Sequence, residues 1–163
     1  MYYLSTTYVS PCPGAILALS GVMNPTPDTK KQVLIVEDEQ SIRDTLAELF
    51  DVDCNLVTTA ELLPQALECL RTQRFDLIVT DLRLGGKRDG GLQVMALSGM
   101  LSPDATVLVL TAYPDDSNRQ ASARLGALHF LEKPVDLSTI AQLAARTQVH
   151  TAFTAPLRGD ASM

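Results

Sequence analysis

From Lys31 onward, short apolar runs alternate with stretches of helical spacing, and this alternation constrains the fold more than any other feature of the sequence. The apolar runs are QVLIVED, NLVTTA, FDLIVTDL, ATVLVLTAY and ALHFLEKP. Most of them contain an almost continuous apolar stretch, which is typical of strands that are covered on both faces. Five such units in about 120 residues predict an α/β fold, with a five-stranded parallel sheet between two layers of helices.

The helical patterns carry start and stop signals. Ser41 and Asp44 resemble a capping box at the start of the first helix, SIRDTLAELFDV. Pro64 is compatible with the second helix, LLPQALECLRTQ, because it falls in the first turn. The third helix is GLQVMALSGMLSP, the fourth ends at Gly126, and Asp136 is the predicted N-cap of the last, DLSTIAQLAARTQV.

Composition divides the chain into one domain and two flanking segments. The first 29 residues contain no Lys or Arg and four of the nine prolines. Their apolar stretch lacks the basic segment and the small-residue cleavage site of a secretory signal. We expect residues 1–29 to be a flexible and dispensable N-terminal extension, residues 30–149 to form the domain, and residues 150–163 to be a disordered tail.

Charge and cysteine usage exclude several classes of function. The net charge of −6 argues against nucleic acid as a direct partner. Three cysteines without a C-x-x-C spacing argue against a disulfide framework or a zinc site, and favour a cytoplasmic protein with reduced thiols. Membrane association is not expected, because no apolar run approaches the roughly 18 residues of a membrane span.

Polar and charged residues follow four of the predicted strands. Glu37-Asp38-Glu39 follow the first, Asp81 the third, Thr111 the fourth, and Lys133-Pro134 the fifth. Because binding crevices of open α/β sheets lie outside the carboxyl ends of the strands, we expect these groups to meet at one rim. A cluster with oxygen donors alone suits Mg²⁺. A carboxylate beside Mg²⁺ and Lys is suited to attack phosphorus and to hold an acyl phosphate.

Four motifs resemble the receiver domain of two-component response regulators, in the same order and at similar spacing: VLIVEDE, FDLIVTDLRL, VLVLTAY and HFLEKP. The resemblance covers residues 31–148 approximately. It implies a flavodoxin-like, chemotaxis-receiver-like fold with the strand order 2-1-3-4-5. It also implies a regulatory phosphoacceptor and not an enzyme, with chemistry limited to self-phosphorylation and autodephosphorylation.

The resemblance assigns the groups of the phosphorylation site. Asp81 is then the phosphoacceptor and also one of the Mg²⁺ ligands. Asp38 is a direct Mg²⁺ ligand, Glu37 acts through water, and the backbone carbonyl of Arg83 completes the protein's share of the metal shell. Lys133 pairs with the phosphate.

The resemblance also assigns a switch and partners. Thr111 is the switch hydroxyl and Phe130 the aromatic switch residue; the alternative, which we favour less, is that Phe130 is an ordinary core aromatic. The Lys133-Pro134 bond is often cis in this family. The donor would be a sensor histidine kinase or a histidine phosphotransfer protein, and the output would be contact with a downstream protein. A phosphorylation-dependent dimer through helix four, strand five and helix five is a further assembly that the resemblance suggests.

The loop after Asp81 departs from the family pattern. Gly85 stands where the family usually has Pro, and Leu92 comes two residues late, so the loop over 85–91 is longer. Glycines and the basic pair Lys87-Arg88 predict a flexible, exposed segment. We favour a tolerated surface insertion; the alternative is altered access for a kinase or phosphatase.

Two other functions fit part of the sequence. An aspartyl-nucleophile phosphatase would carry D-x-D after its first strand, whereas the candidate nucleophile here follows the third. The other is a receiver that forms part of a longer response regulator with a DNA-binding or enzymatic output domain. The sequence does not separate this possibility from a stand-alone receiver.

Overall fold

The computed structural model describes residues 30–154; the predicted extension at residues 1–29 and the last nine residues, 155–163, lie outside the described part. The strands are β1 Lys31–Val36, β2 Asn55–Ala60, β3 Leu77–Asp81, β4 Thr106–Thr111 and β5 His129–Glu132. The helices are α1 Gln40–Phe50, α2 Leu63–Thr72, α3 Gly90–Leu101, α4 Asp116–Arg124 and α5 Leu137–Ala145. No helix within residues 30–154 has the length and apolar character needed to cross a membrane.

The strands form one parallel sheet in the order β2-β1-β3-β4-β5, which confirms the predicted topology. β1 lies between β2 and β3, so its last residue, Val36, pairs with both Ala60 and Thr80. The chain therefore changes direction across the sheet at β1. In open sheets of this kind the binding crevice forms at that point, outside the carboxyl ends of the two strands that flank it.

Each face of the sheet is covered by a separate apolar core. Val33 and Ile35 of β1 pack with residues of α1 and α5 on one face. Leu34 and Val36 pack with residues of α2 and α3 on the other. Because successive strand residues point to opposite faces, a strand covered on both sides must be apolar at every position. This requirement explains the uninterrupted apolar runs of the sequence.

Helix starts are only partly as predicted. The capping box of Ser41 and Asp44 is wrong: Glu39 is the N-cap of α1, and Ser41 lies inside the helix, where its Oγ donates to Glu39 Oε1 at 2.8 Å. The extended backbone that an N-cap requires falls two residues earlier than the sequence suggests. Pro64 lies in the first turn of α2, and Gly126 follows α4 with a φ of +89°, as predicted.

The ordered domain extends further than predicted. The prediction of a disordered tail from residue 150 onward is wrong for residues 150–154. Thr151 is fully buried, and Asn55 Nδ2 donates to the carbonyl of His150 at 2.8 Å. The amide of Ala152 donates to the last turn of α1. Polar and backbone hydrogen bonds hold this segment, so it has no apolar periodicity that the sequence could reveal.

Candidate functional site

The parallel sheet brings the predicted site residues to one rim. Glu37 and Asp38 follow β1, Asp81 is the last residue of β3, Thr111 is the last residue of β4, and Lys133 follows β5. Parallel strands end at the same edge, so side chains that are distant in sequence meet there. The short apolar strands thus act as fixed supports for the polar groups that follow them.

Three carboxylates cluster at the centre of this rim. One oxygen each of Glu37, Asp38 and Asp81 lies within 4.8 Å of the others. Glu37 and Asp81 are buried, with 2% and 8% of their surfaces exposed, whereas Asp38 is exposed to solvent. Like charges at this separation repel one another strongly unless a cation is close.

Lys133 supplies a cation to two of the three carboxylates. Its Nζ donates to Glu37 Oε2 at 2.6 Å and to Asp81 Oδ2 at 2.8 Å. The backbone amide of Lys133 donates to the carbonyl of Thr111 at 2.8 Å, which fixes the residue against the end of β4. The Lys133-Pro134 peptide bond is cis, as expected from the sequence. Three carboxylates exceed this one ammonium by two negative charges when all four groups are ionised.

Burial and charge oppose each other in this group. Burial raises the pKa of the Glu37 carboxyl, and the nearby Asp81 raises it further, although Lys133 acts in the opposite direction. Burial alone would lower the pKa of Lys133, but its hydrogen bonds and charge interactions with Asp81 and Glu37 outweigh burial and raise it. Lys133 therefore remains an ammonium at neutral pH.

The donor set fits a hard divalent cation. The cluster offers carboxylate oxygens, and neither His nor Cys belongs to it within the described residues. Mg²⁺ prefers a small number of carboxylates together with water and phosphate oxygens. The exposed Asp38 lies on the solvent side, where an ion would enter.

The surroundings of Asp81 are tightly constrained. Its Oδ1 accepts a hydrogen bond from the amide of Arg83 at 3.1 Å. Gly91, at the start of α3, lies directly against the backbone of Asp81: a Cβ there would be 2.2 Å from the Asp81 carbonyl oxygen and 2.7 Å from Leu82 Cα. Side chains are therefore excluded at position 91. This contact was not predicted, although the double glycine before Leu92 was its visible sign in the sequence.

Thr111 and Phe130 lie on the same face of the sheet. Thr111 is buried, and its Oγ1 accepts from the amide of Tyr113 at 3.2 Å. Phe130 pairs in register with Val109, two residues before Thr111, so both side chains point to the side that α4 covers. The ring of Phe130 is half-buried, and the guanidinium of Arg119 in α4 lies 4.6 Å from its centroid.

The lengthened loop after β3 is an ordered hairpin turn and not the flexible segment that the sequence predicted. Leu84 and Lys87 exchange both backbone hydrogen bonds, at 3.1 and 3.0 Å. Gly85 and Gly86 form the turn with φ of 57° and 79°, values that favour glycine. The amide of Gly85 donates to Asp38 Oδ2 at 3.1 Å. The loop therefore contacts the acidic cluster directly.

Two arginine side chains make contacts at the site that were not predicted from the sequence. The guanidinium of Arg83 stacks 4.0 Å from the ring centroid of Tyr113, across the mouth of the site. Arg43 of α1 donates to the backbone carbonyl of Glu37 at 2.8 Å. Arg83 was predicted to contribute its backbone carbonyl alone, and Arg43 lies within α1, outside the strand-end motifs, so the sequence gave no signal for either side chain.

The carboxylates open into a cleft of about 840 Å³. Asp38, Asp81 and Lys133 line its polar end, and an apolar wall continues from it toward α1 and α5. Residues of that wall include Ile42, Leu46, Leu110, Val135 and Ile140. The cleft therefore combines a charged end with an apolar wall.

Comparison with curated proteins identifies the family of this chain. The family model described as "Response regulator receiver domain" matches residues 33–145. The transcriptional regulatory protein AlgB of Pseudomonas aeruginosa is 32% identical over 124 residues, and the match covers 76% of this chain. Sporulation initiation phosphotransferase F of Bacillus subtilis is 30% identical, and the match covers 68% of this chain and 87% of that protein. This chain spans 27% of the length of AlgB and 47% of a receiver protein from Anaeromyxobacter.

Solved structures show the same architecture. A response regulator from Burkholderia pseudomallei, solved with a phosphorylated aspartic acid, a calcium ion and citrate, has a TM-score of 0.63 at 32% identity and covers 71% of this chain and 66% of that one. A CheY-like receiver from Methanospirillum hungatei has a TM-score of 0.66 at 22% identity, with 73% and 94% covered, and bears on the fold alone. The family match and these solved structures agree with the α/β fold and the strand order of this chain. The chain belongs to the receiver domain family of two-component response regulators.

Proposed function

We propose that this receiver accepts a phosphoryl group on Asp81, with Mg²⁺, from a histidine of a sensor kinase or of a phosphotransfer protein. The observation that carries the proposal is the position of Lys133, whose Nζ lies between Glu37 and Asp81 at 2.6 and 2.8 Å. The same cluster contains Asp38, which leaves an exposed carboxylate for a metal ion. A nucleophile, a cation and a metal site thus lie within one small volume.

Phosphoryl transfer would proceed by displacement at phosphorus. One carboxylate oxygen of Asp81 forms the new P–O bond while the P–N bond of the phosphohistidine breaks, and the imidazole leaves. Bound Mg²⁺ would neutralise charge on the transferring oxygens. The ammonium of Lys133 moves from the Asp81 carboxylate to an oxygen of the phosphoryl group, where it stabilises the product.

The two remaining acidic residues take different roles in this proposal. Asp38 is exposed and holds the ion directly, together with the backbone carbonyl of Arg83. Glu37 is buried and already bonded to Lys133, so it acts on the ion through water. The resemblance to the family implies this division, and the exposure of Asp38 and the burial of Glu37 support it.

The signal would leave the site through Thr111 and Phe130. A phosphoryl group on Asp81 adds negative charge and acceptor oxygens beside the end of β4. The hydroxyl of Thr111 is a donor that can turn toward them, and the space it leaves lies on the face that Phe130 occupies. The surface of α4, β5 and α5 then changes shape and either binds a target or pairs with a second copy.

The output is contact with another protein in this proposal. Among the relatives, AlgB and KdpE of Escherichia coli are named as transcriptional regulatory proteins, and the chain spans 27% and 54% of their lengths. The Bacillus relative is named as a phosphotransferase. The proposal requires only that another protein or domain contacts the surface of the receiver. It therefore holds for a stand-alone receiver and for part of a longer regulator.

Mass spectrometry of the intact protein tests the phosphoacceptor. Incubation with acetyl phosphate and Mg²⁺ should add one phosphoryl group to the wild type. Addition of EDTA or the substitution Asp81→Asn should prevent formation of this adduct. Asp104→Asn, at an exposed turn far from the site, is the matched control and should label like the wild type. Labelling that persists in Asp81→Asn would contradict the assignment.

A further inference from the structure

Arg43 reaches from α1 back to the backbone of the acidic turn. Its Nη1 donates to the carbonyl of Glu37 at 2.8 Å and lies 3.3 Å from the carbonyl of Asp38. Its Nη2 lies 4.0 Å from Glu61 Oε2, beyond the end of β2. The side chain of Arg43 is 15% exposed, so the guanidinium is held inside the protein and does not extend into solvent.

The choice of acceptor matters for the chemistry of the rim. Lys133 occupies carboxylate oxygens of Glu37 and Asp81, whereas Arg43 occupies backbone carbonyls and leaves the Asp38 carboxylate free. A guanidinium bound to backbone carbonyls does not compete with a metal ion for the carboxylate oxygens of the cluster. Its forked, planar donors also restrict rotation of the peptide between the two residues.

Asp38 is constrained from a second direction. The Gly85 amide donates to Asp38 Oδ2 at 3.1 Å, while Arg43 contacts the carbonyl of the same residue. One contact orients the carboxylate and the other orients the backbone that carries it. The exposed member of the cluster is therefore placed by neighbours that are not themselves carboxylates.

We propose that Arg43 is a positioning residue of the metal site, which sets the Glu37-Asp38 turn so that both carboxylates face one ion. The inference rests on the proposed function, because it concerns how tightly the same site holds Mg²⁺. Residues that orient metal ligands without touching the metal change affinity by roughly 10- to 100-fold when they are replaced. Since the turn keeps a second contact through Gly85, we expect the lower end of that range.

The test measures Mg²⁺ binding directly, with no phosphodonor present. Full-length Arg43→Met, Arg43→Lys and wild type are titrated with Mg²⁺ by calorimetry or amide NMR, well below their melting temperatures. Arg43→Met keeps the stem and loses every donor, and should bind Mg²⁺ about tenfold more weakly. Arg43→Lys keeps one charged donor and should fall between the two. Arg71→Met, at an exposed arginine of α2, is the matched control and should bind like the wild type.

The melting temperature in EDTA separates positioning from stability. If Arg43 only stabilises the fold, Arg43→Met melts earlier in EDTA and the folded protein binds Mg²⁺ within twofold of the wild type, which overturns the inference. Should Arg43→Met not fold, undiminished binding by Arg43→Lys overturns it in the same way. Wild type that does not bind Mg²⁺ overturns the proposed function and this inference together.

Discussion

The half of the sheet that carries the carboxylates and the half that would carry the signal are packed very differently. In β1, Val33–Val36 are completely buried, and α1 covers Val33 and Ile35 with side chains such as Phe50, which is also completely buried. In β5, an edge strand, His129–Glu132 are half-buried or exposed. Within α4 the buried residue is Ser122, whose hydroxyl has no hydrogen-bond partner among residues 30–154.

The difference teaches how one small domain can combine fixed chemistry with a movable surface. Carboxylates that hold a metal ion must keep their positions, and close apolar packing around β1 and β3 supplies that rigidity. A surface that changes shape must do so at low cost in free energy. α4 buries little apolar area and an unpaired hydroxyl, so displacing it loses few favourable contacts.

Substitution of one phenylalanine in each half gives the largest expected effect. Phe50→Ala should lower the free energy of unfolding by about 4 kcal/mol, because a completely buried ring is lost and a cavity remains. Phe130→Ala should cost less than half as much, because its ring is half-buried at the sheet edge. Urea denaturation of both variants measures the difference. Equal losses of unfolding free energy would show that the β5 edge is packed as closely as the centre of the sheet. That result would contradict the difference in packing between the two halves.

A threonine substitution sharpens the comparison by separating phosphorylation from its consequence. Thr111→Ala should still accept phosphate on Asp81, since Thr111 contributes no hydrogen bond to the carboxylates in this structure. It should lose most of the response at Phe130, because the hydroxyl that turns toward the phosphoryl group is gone. NMR spectra with and without beryllofluoride, for wild type and variant, measure this response. A full wild-type shift pattern through residues 112–145 in the variant would refute the relay.

The smallest expected effect is a pH dependence of the free energy of unfolding, caused by Glu37 in the half of the sheet that carries the carboxylates. Burial raises the pKa of Glu37 in the folded protein above its ordinary value of 4.5, so the folded state holds a proton that the unfolded chain has released. The free energy of unfolding should therefore fall as pH rises above about 4.5 and through the folded pKa. Glu37→Gln does not titrate and should lack this loss.

Melting temperatures in EDTA, from about pH 4 to pH 7, compare the two proteins. The melting temperature of Glu37→Gln should increase relative to that of the wild type as pH rises from about 4 to 7. Lys133 remains charged across this pH range, because its own pKa is raised. Loss of the Glu37 carboxylate as a partner of Lys133 therefore contributes a change in the melting temperature of the variant that does not depend on pH. A difference that does not change with pH would mean that Glu37 does not titrate differently in the two states.

The fold could be predicted from the sequence because its signals are local. Continuous apolar runs require strands that are covered on both faces, and the helices between them require parallel connections. The strand order came from the resemblance. The capping box at Ser41 failed because α1 begins earlier: the extended residue before the helix is Glu39, two residues before Ser41. The segment 150–154 was missed because backbone and polar hydrogen bonds hold it, and these leave no pattern.

The candidate site also contains residues that could be predicted from local sequence signals and residues that could not. Glu37, Asp38, Asp81 and Lys133 could be grouped because each directly follows or ends a strand. Arg43 acts on backbone carbonyls, which carry no sequence identity, so its role required coordinates. The loop was predicted to be flexible because it contains several glycines. The structure shows that backbone hydrogen bonds between Leu84 and Lys87 close it into an ordered hairpin, in which two glycines adopt positive φ.

The hairpin also makes the acidic site accessible to a reporter placed outside it. Lys87 is exposed and pairs with Leu84 across a two-residue turn, and the turn residue Gly85 contacts Asp38. An environment-sensitive dye on a cysteine at position 87 would share one rigid unit with that amide. Metal entry at Asp38 would then alter the emission of the dye while every carboxylate stayed unmodified. The turn is a ready attachment point for following occupancy of the site in real time.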